Sequence, residues 1–503
     1  MSDPRERYQP IASHVFLLLA CLLFCGIARA APSISLSKKS GPPTSKILVS
    51  GRGFEPNVGV DIYFDTKDEA LVVTNHQGEF DNAGIHAPRS AYPGKHWVTA
   101  LERNNDKGAQ QPFLVQTDWR QFHFDADGTR LNPYENVLSV SNAERLGLKW
   151  ASSGGGGLSS PAVANGVVYV GSDDGNIYAL NTRSGSKLWS YHTGSHVQSS
   201  PAFANGVVYF GSADDTVYAL SASTGAKLWS YTTENQVVSS PAVSNGIVYV
   251  TSTDNNVYAL NAGTGAVLWS YTTGSQVVSS PAVVNGVVYF NSNDNNVYAL
   301  NAHTGAKLWS HAGGGPSSPA VANGVVYFGS VDDNVYALNA NSGAELWSYT
   351  TGNYSVSSPA VANGVVYVGS DDGNLYALNA STGTLLWRYP TTYEIESSPA
   401  VANGVVYVNS DNLNLYALDA ETGALLWTYP SGAGYSSPTI ADGVVYIDSF
   451  ENSAIYAFSL QLGDRPRKAP VAKRTERPSP RALRPDFNLK VSKSVAITSG
   501  AEL

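Results

Sequence analysis

From Ser159 to Phe458 the chain sets short apolar runs between small or polar clusters and sustains no apolar period of 3.6 residues. VVYV, YAL and LW recur, each bounded by Gly, Asn, Asp or Ser. Runs of this length, rich in Val and Tyr between turn formers, predict short strands. In the stretch Ser159–Tyr191, Ser160 to Ala164 reads as a first strand closed by Asn165-Gly166, a strong two-residue hairpin signal. Val167 to Ser172 reads as a second strand turned by Asp173-Asp174-Gly175, and Asn176 to Asn181 as a third. Ser184-Gly185 turns the chain again into a fourth strand, Lys187 to Tyr191, carrying Trp189.

The same unit is written eight times. SSP triplets begin at 159, 199, 239, 279, 317, 357, 397 and 436, a period of 38 to 40 residues, and four copies share SSPAVANGVVY letter for letter. Self-similarity at this period marks a repeat architecture, and four antiparallel strands per forty residues make one propeller blade. Small Ser-Ser-Pro-Ala residues suit the crowded inner strands, and a proline fits there if its missing donor falls outside the ladder. Trp189, Trp229, Trp269, Trp309, Trp347, Trp387 and Trp427 close the fourth strand of seven units. The eighth stops at Tyr456-Ala457-Phe458 without its tryptophan, while Leu148-Lys149-Trp150 stands unclaimed ahead of the first unit. An N-terminal strand that completes the last blade therefore predicts a closed eight-bladed ring over 145–460.

Upstream, 31–118 has another texture: ILVSGRGF, VGVDIYF, ALVVTNHQGEF and KHWVTALE alternate apolar and polar residues between Gly, Pro and Asn turns. This predicts a small antiparallel sandwich. The stretch SGRGFEPNVGVDIYF resembles bacterial immunoglobulin-like surface domains, a resemblance that bears on fold alone. Residues 119–144 read as a connecting segment. Its Asp125-Ala-Asp127-Gly128 invites a calcium loop, but Arg130 stands where glycine is needed and Asn136 where a bidentate glutamate is needed, so a turn is expected.

Composition narrows the function. Charged residues are 14% and the net charge is −9, which argues against a nucleic-acid binder. Arg5 and Arg7, the apolar run Val15–Ile27 and Ala28-Arg29-Ala30 read as a cleavable export signal over 1–30, rather than as a signal anchor. A lipoprotein signal at Cys21 or Cys25 fits less well. Both cysteines lie inside that leader, so a mature chain from Ala31 has no disulfide, thiolate metal site or cysteine nucleophile. The expected location is periplasmic, cell-surface or secreted. From Asp464 onward ten basic residues face four acidic ones among many prolines, so 461–503 reads as a disordered basic tail that could hold an anionic surface.

The blade motif, as in ALNTRSGSKLW, ALSASTGAKLW and ALDAETGALLW, resembles the repeat of pyrroloquinoline-quinone (PQQ) enzymes and their non-enzymatic relatives, including an outer-membrane-assembly propeller. The resemblance implies that Trp150 and its seven equivalents pack on the Thr-Gly turn of a neighbouring blade. It also implies two branches of function. Quinoprotein dehydrogenases usually carry adjacent cysteines, a glutamate and asparagine on calcium, and an aspartate base. Here the cysteines are missing, and Asp173-Asp174, Asp214-Asp215, Asp332-Asp333 and Asp371-Asp372 repeat at hairpins, where turn formation explains them. No phosphate loop, nucleophile elbow or histidine pair at metal-ligand spacing appears, so no catalytic or metal residue is assigned.

Comparing the eight copies with one another locates the variation. It concentrates in the loop before each SSP. Three residues ahead stand Gly156, His196, Gln236, Gln276, Gly314, Tyr354, Glu394 and Ala433. Directly ahead stand Leu158, Gln198, Val238, Val278, Pro316, Val356, Glu396 and Tyr435. A binding face of His196, Gln198, Gln236, Gln276, Tyr354, Tyr393, Glu394, Glu396 and Tyr435 is expected around the channel mouth, alongside drift in exposed loops as the plainer explanation. Such residues suit an envelope or extracellular protein, or a polysaccharide. The expected function is non-catalytic binding or scaffolding by a monomeric propeller without a cofactor. The alternative is a PQQ- and calcium-dependent dehydrogenase acting on an alcohol or sugar.

Overall fold

The computed structural model describes residues 30–105, 107–154 and 156–461; the expected leader and basic tail lie outside them. The chain divides into two compact units, described separately here. In the first, sheets of three and five strands are built from Ser33–Leu36 through Gly108–Val115. Strand Lys46–Arg52 alternates exposed and buried residues, as one covered face requires, with Ile47 and Val49 fully buried. This small β unit is all-β as expected; its immunoglobulin identity rests on the sequence motif alone.

The second unit is a ring of eight four-stranded antiparallel blades. Blade 1 comprises Ala162–Ala164, Val167–Gly171, Asn176–Asn181 and Lys187–His192, designated strands a to d from the axis outward. Strands a and b meet at Asn165-Gly166, both at positive φ (52° and 78°), the conformation of the twist-matched hairpin turn. Blade 8 takes strands a to c from Thr439–Ala441, Val444–Ser449 and Ala454–Leu460, and its strand d is Leu146–Ser153. Leu148 lies opposite Phe458 and Trp150 opposite Ala457, so the ring closes as its phase predicts.

Neighbouring blades are joined by two repeated devices. At the rim, each strand-d tryptophan except Trp427 donates its indole N–H to the next blade's c–d turn, as Trp229 does to Ala262 at 2.9 Å. The turn glycine permits this approach: a Cβ on Gly265, at φ +73°, would stand 2.7 Å from the Trp229 ring. Seven tryptophans, from Trp150 to Trp387, make this bond. The seat expected for Trp427 is missing, because blade 8 takes its strand d from Leu146–Ser153 and so has no such turn among the described residues. Near the axis, the backbone N–H of each second SSP serine donates to the hydroxyl of its equivalent in the next blade. Ser160 donates to Ser200, and so on through Ser437, which donates to Ser160, at 2.8–3.1 Å. The eightfold serine is thus a closed hydrogen-bonded ring, which a single blade cannot complete.

Residues 119–132, expected only to connect, instead plug the axis. Backbone N–H groups of Val163, Phe203, Val283, Val321, Val361 and Val401 donate to the carbonyls of Trp119, Arg120, Ala126, Asp127, Thr129 and Arg130 in turn. Val243 donates to the Gln121 side chain, and the Ile440 carbonyl accepts from Asn132. The plug therefore bonds to the innermost strand of all eight blades in chain order. Leu131–Asn132 even adds to blade 7 as a parallel fifth strand. Asp125 and Gly128 do form a turn, with Gly128 N–H on the Asp125 carbonyl. The sequence reading of a turn holds, but this turn lies on the axis.

Candidate functional site

The serine ring and the plug together make a dead-end vestibule of about 260 Å³ on the axis. The eight second serines form its waist, the residues directly ahead of each SSP form its wall, and Phe122 of the plug enters from below. The wall is not eightfold. Val238, Val278, Pro316 and Val356 make an apolar arc over blades 3 to 6, while Glu396, Tyr435, Leu158 and Gln198 follow around blades 7, 8, 1 and 2. All eight serines are more than nine-tenths buried, from 2% exposed at Ser160 to 6% at Ser240. Each hydroxyl accepts one N–H, and among the described residues none donates onward.

Loops and b–c turns share this face, because they bond to each other. The Glu394 carbonyl accepts from Asp411 N–H and the Tyr354 carbonyl from Asp371 N–H, with His196, Gln236 and Gln276 placed equivalently. Of the nine expected residues, Gln198, Glu396 and Tyr435 line the vestibule. The other six stand on the surrounding loops with exposed side chains, and His196 is turned aside by its ring contact with the Asp173 carbonyl.

Charge on this rim gathers on one side. Burial first, then the charges of Asp411, Asp371 and Glu394, push the Glu396 carboxyl up to about 7. Asp371 is raised to about 6 by burial and then by Glu394 and Asp411. Burial and Glu394 also raise Asp411. The Oδ1 atoms of Asp371 and Asp411 are buried without a hydrogen-bond partner, and no ion pair reaches any of the four carboxylates among the described residues.

Sequence reasoning set Asp371 aside as a turn former and did not single out Asp411. The signal was present: the equivalent residues are Asp173, Ala213, Thr253, Asn293, Val331 and Phe450, so the turn does not demand a carboxylate there. The next residue does serve structure. Asp174, Asp214, Asp254, Asp294, Asp332 and Asp372 each accept from the strand-c tyrosine four residues on.

Comparison with known proteins places the ring. Residues 137–363 match the family described as the β-propeller of the β-alanine-activating enzyme, and 392–466 match outer membrane protein assembly factor BamB. BamB from Moraxella catarrhalis superposes with a TM-score of 0.56 at 18% identity, over 62% of this chain and 99% of that one. Quinohemoprotein alcohol dehydrogenase from Comamonas testosteroni gives 0.61 at 16%, over 72% and 83%. The repeat region belongs to the PQQ-repeat β-propeller family. Among curated relatives, 1-butanol dehydrogenase (cytochrome c) of Thauera butanivorans is 37% identical over 82 residues, 16% of this chain and 12% of that protein. Lupanine 17-hydroxylase of a Pseudomonas species is 40% identical over 57 residues, 11% and 8%. The matched stretches thus span about a tenth of those enzymes.

Membership in a PQQ-repeat family makes the quinone a fair test of the vestibule. Pyrroloquinoline quinone is a planar tricarboxylate and needs cationic partners or a metal to offset its charge. The wall offers no Lys, Arg or His, and its one charged member is Glu396, backed by three more carboxylates. No group of three or more His, Asp or Glu converges to hold a metal among the described residues. These residues do not fit the quinone.

Proposed function

We propose that this protein is an exported, non-catalytic binding propeller of the cell envelope or its exterior, and that its ligand enters the axial vestibule. One observation supports this most: a serine-waisted, dead-end cavity opens on the loop face with a wall that repels a tricarboxylate cofactor. The blade machinery gives rigidity, since serine ring and plug fix the cavity from two levels. Function then resides in the few wall residues that break the eightfold repeat, as grafted sites on repeat scaffolds do.

The discriminating experiment adds the quinone with calcium to purified protein. No bound quinone absorbance and no dye-linked oxidation of alcohols or sugars are expected. Stoichiometric quinone uptake with turnover would return the protein to the dehydrogenase branch. Export is tested by sequencing the mature N-terminus, expected at Ala31.

A further inference from the structure

The carboxylate arc and the serine waist are separate features that meet in one cavity. The first is anionic and uncompensated: Glu396 lines the vestibule, the same loop carries Glu394, whose carbonyl accepts from Asp411 N–H, and Asp371 stands in the equivalent turn of blade 6. Crowded carboxylates with no cation among them are unfavourable until one arrives. The second is polar, neutral and unfinished: eight serines more than nine-tenths buried, each with a hydroxyl proton that no protein acceptor takes. Each hydroxyl is already paired as an acceptor, and its donor capacity is left over around the cavity, where a guest carrying carbonyl groups can use it.

The apolar arc supplies the third constraint. Val356 and Pro316 continue round the wall from Glu396, and Val238 stands across the ring from it, so the guest has an apolar portion beside its charge. We infer that the vestibule takes a basic side chain, a lysine ammonium or arginine guanidinium, presented by an extended peptide segment of a partner protein. The aliphatic stem lies on the valine arc while the cationic head meets Glu396, with the Asp411 charge behind it, and peptide carbonyls accept the serine hydroxyl protons. This rests on the binding reading above and names the chemistry of its ligand.

The test uses full-length protein and capped pentapeptides Gly-Val-X-Val-Gly, with X as Lys, Arg or Glu, titrated by calorimetry at pH 7.5 in low salt. The Lys or Arg peptide is expected to bind at least tenfold more tightly than the Glu peptide. A Glu396→Gln, Asp411→Asn double variant loses at least tenfold for the basic peptide, and Val278→Trp, which fills the vestibule, abolishes binding. Affinity also falls between pH 8 and pH 5.5, as Glu396, Asp371 and Asp411 gain protons; Glu394 and Tyr435 are the other titratable groups facing them. Equal binding of all three peptides, or basic-peptide binding untouched by the double variant or by Val278→Trp, overturns the inference. Preference for the Glu peptide, with loss on Val278→Trp and no quinone uptake, overturns only the basic chemistry and leaves the binding propeller standing. Quinone uptake with turnover removes both.

Discussion

Seven blade junctions are built alike at the rim, and the one between blades 7 and 8 is not. At the seven, an indole sits on a turn glycine and donates to the turn carbonyl, and at six of them a strand-b tyrosine shares that acceptor, as Tyr327 does with Ala380. Blade 8 borrows its strand d from Leu146–Ser153, so it has no c–d turn among the described residues. Trp427 accordingly packs on Tyr429 and Phe458, and the Tyr407 hydroxyl is buried without a partner. Closing a ring with the chain's other end removes free edges but breaks the interlock where the turn should be.

The axis compensates. Arg130, fully buried, donates from Nε to the Pro399 carbonyl of blade 7 at 2.6 Å and from Nη2 to the Pro438 carbonyl of blade 8 at 3.1 Å. Its third bond goes to Phe122 in the plug. Burial lowers its pKa to about 9, which still leaves it charged at neutral pH. Arg130 thus clips together the two blades that lack the rim device. Replacing it with Ala leaves three buried carbonyls without this donor and opens a cavity, costing about 3–5 kcal/mol. Hydrogen exchange should show blades 7 and 8 opening first; uniform weakening of all eight would break the comparison.

Next in size is the indole pair. Trp229→Ala removes packing and a carbonyl donor and should cost about 3–4 kcal/mol, read as a denaturation midpoint shift. Trp427→Ala loses only part of that packing and no turn bond, and should cost about 1–2 kcal/mol. Equal losses would show that the seams do not differ.

How much of this the sequence disclosed depends on whether the cause repeats. Blades, closure and seven of the eight expected indole seats were legible because the copies impose the same demand on the same position; Trp427 departs because its neighbouring blade has no c–d turn among the described residues. The plug was not: it contacts the blades mostly through its own backbone carbonyls, which leave no side-chain signature, and Arg130 in sequence only spoils a calcium loop. The vestibule was half legible. Gln198, Glu396 and Tyr435 stood out by varying directly before an invariant serine, whereas Asp371 was hidden beside the turn aspartate Asp372 and Asp411 beside the turn asparagine Asn412.

A third prediction uses the repeat as its own control. Asn291 and Asn409 occupy one blade position and donate to the next blade's first-serine carbonyl, Ser317 and Ser436, at 2.7 and 2.6 Å. Blade 8 has Asp448 there, fully buried, with Oδ2 unpartnered. Burial, then the charge of Asp173, pushes its carboxyl well above the ordinary range, against an opposing bond from Gly156 N–H. A carboxyl raised by folding stabilises the fold at low pH, and that contribution is lost as pH rises above its unfolded value. Asp448→Asn should therefore stabilise by about 1–2 kcal/mol at pH 8, with the gain shrinking toward pH 4. A gain independent of pH would assign the effect to packing.

The smallest expected effect is the sharpest on the odd seam, because it removes one oxygen. Tyr327→Phe deletes a hydroxyl that bonds across a regular junction to Ala380 at 3.1 Å, so a loss of about 1 kcal/mol is expected. Tyr407→Phe deletes the equivalent hydroxyl where it has no acceptor, and relieving a buried unpaired group should leave stability unchanged or raise it by up to about 1 kcal/mol. The two changes are chemically identical and both rings are buried, 3% exposed at Tyr327 and 0% at Tyr407, so solvation of the unfolded chain cancels between them. Opposite signs in paired denaturant titrations would isolate the missing turn carbonyl. Equal losses would mean that the Tyr407 hydroxyl has a partner after all, and that the closing seam is as well bonded as the rest.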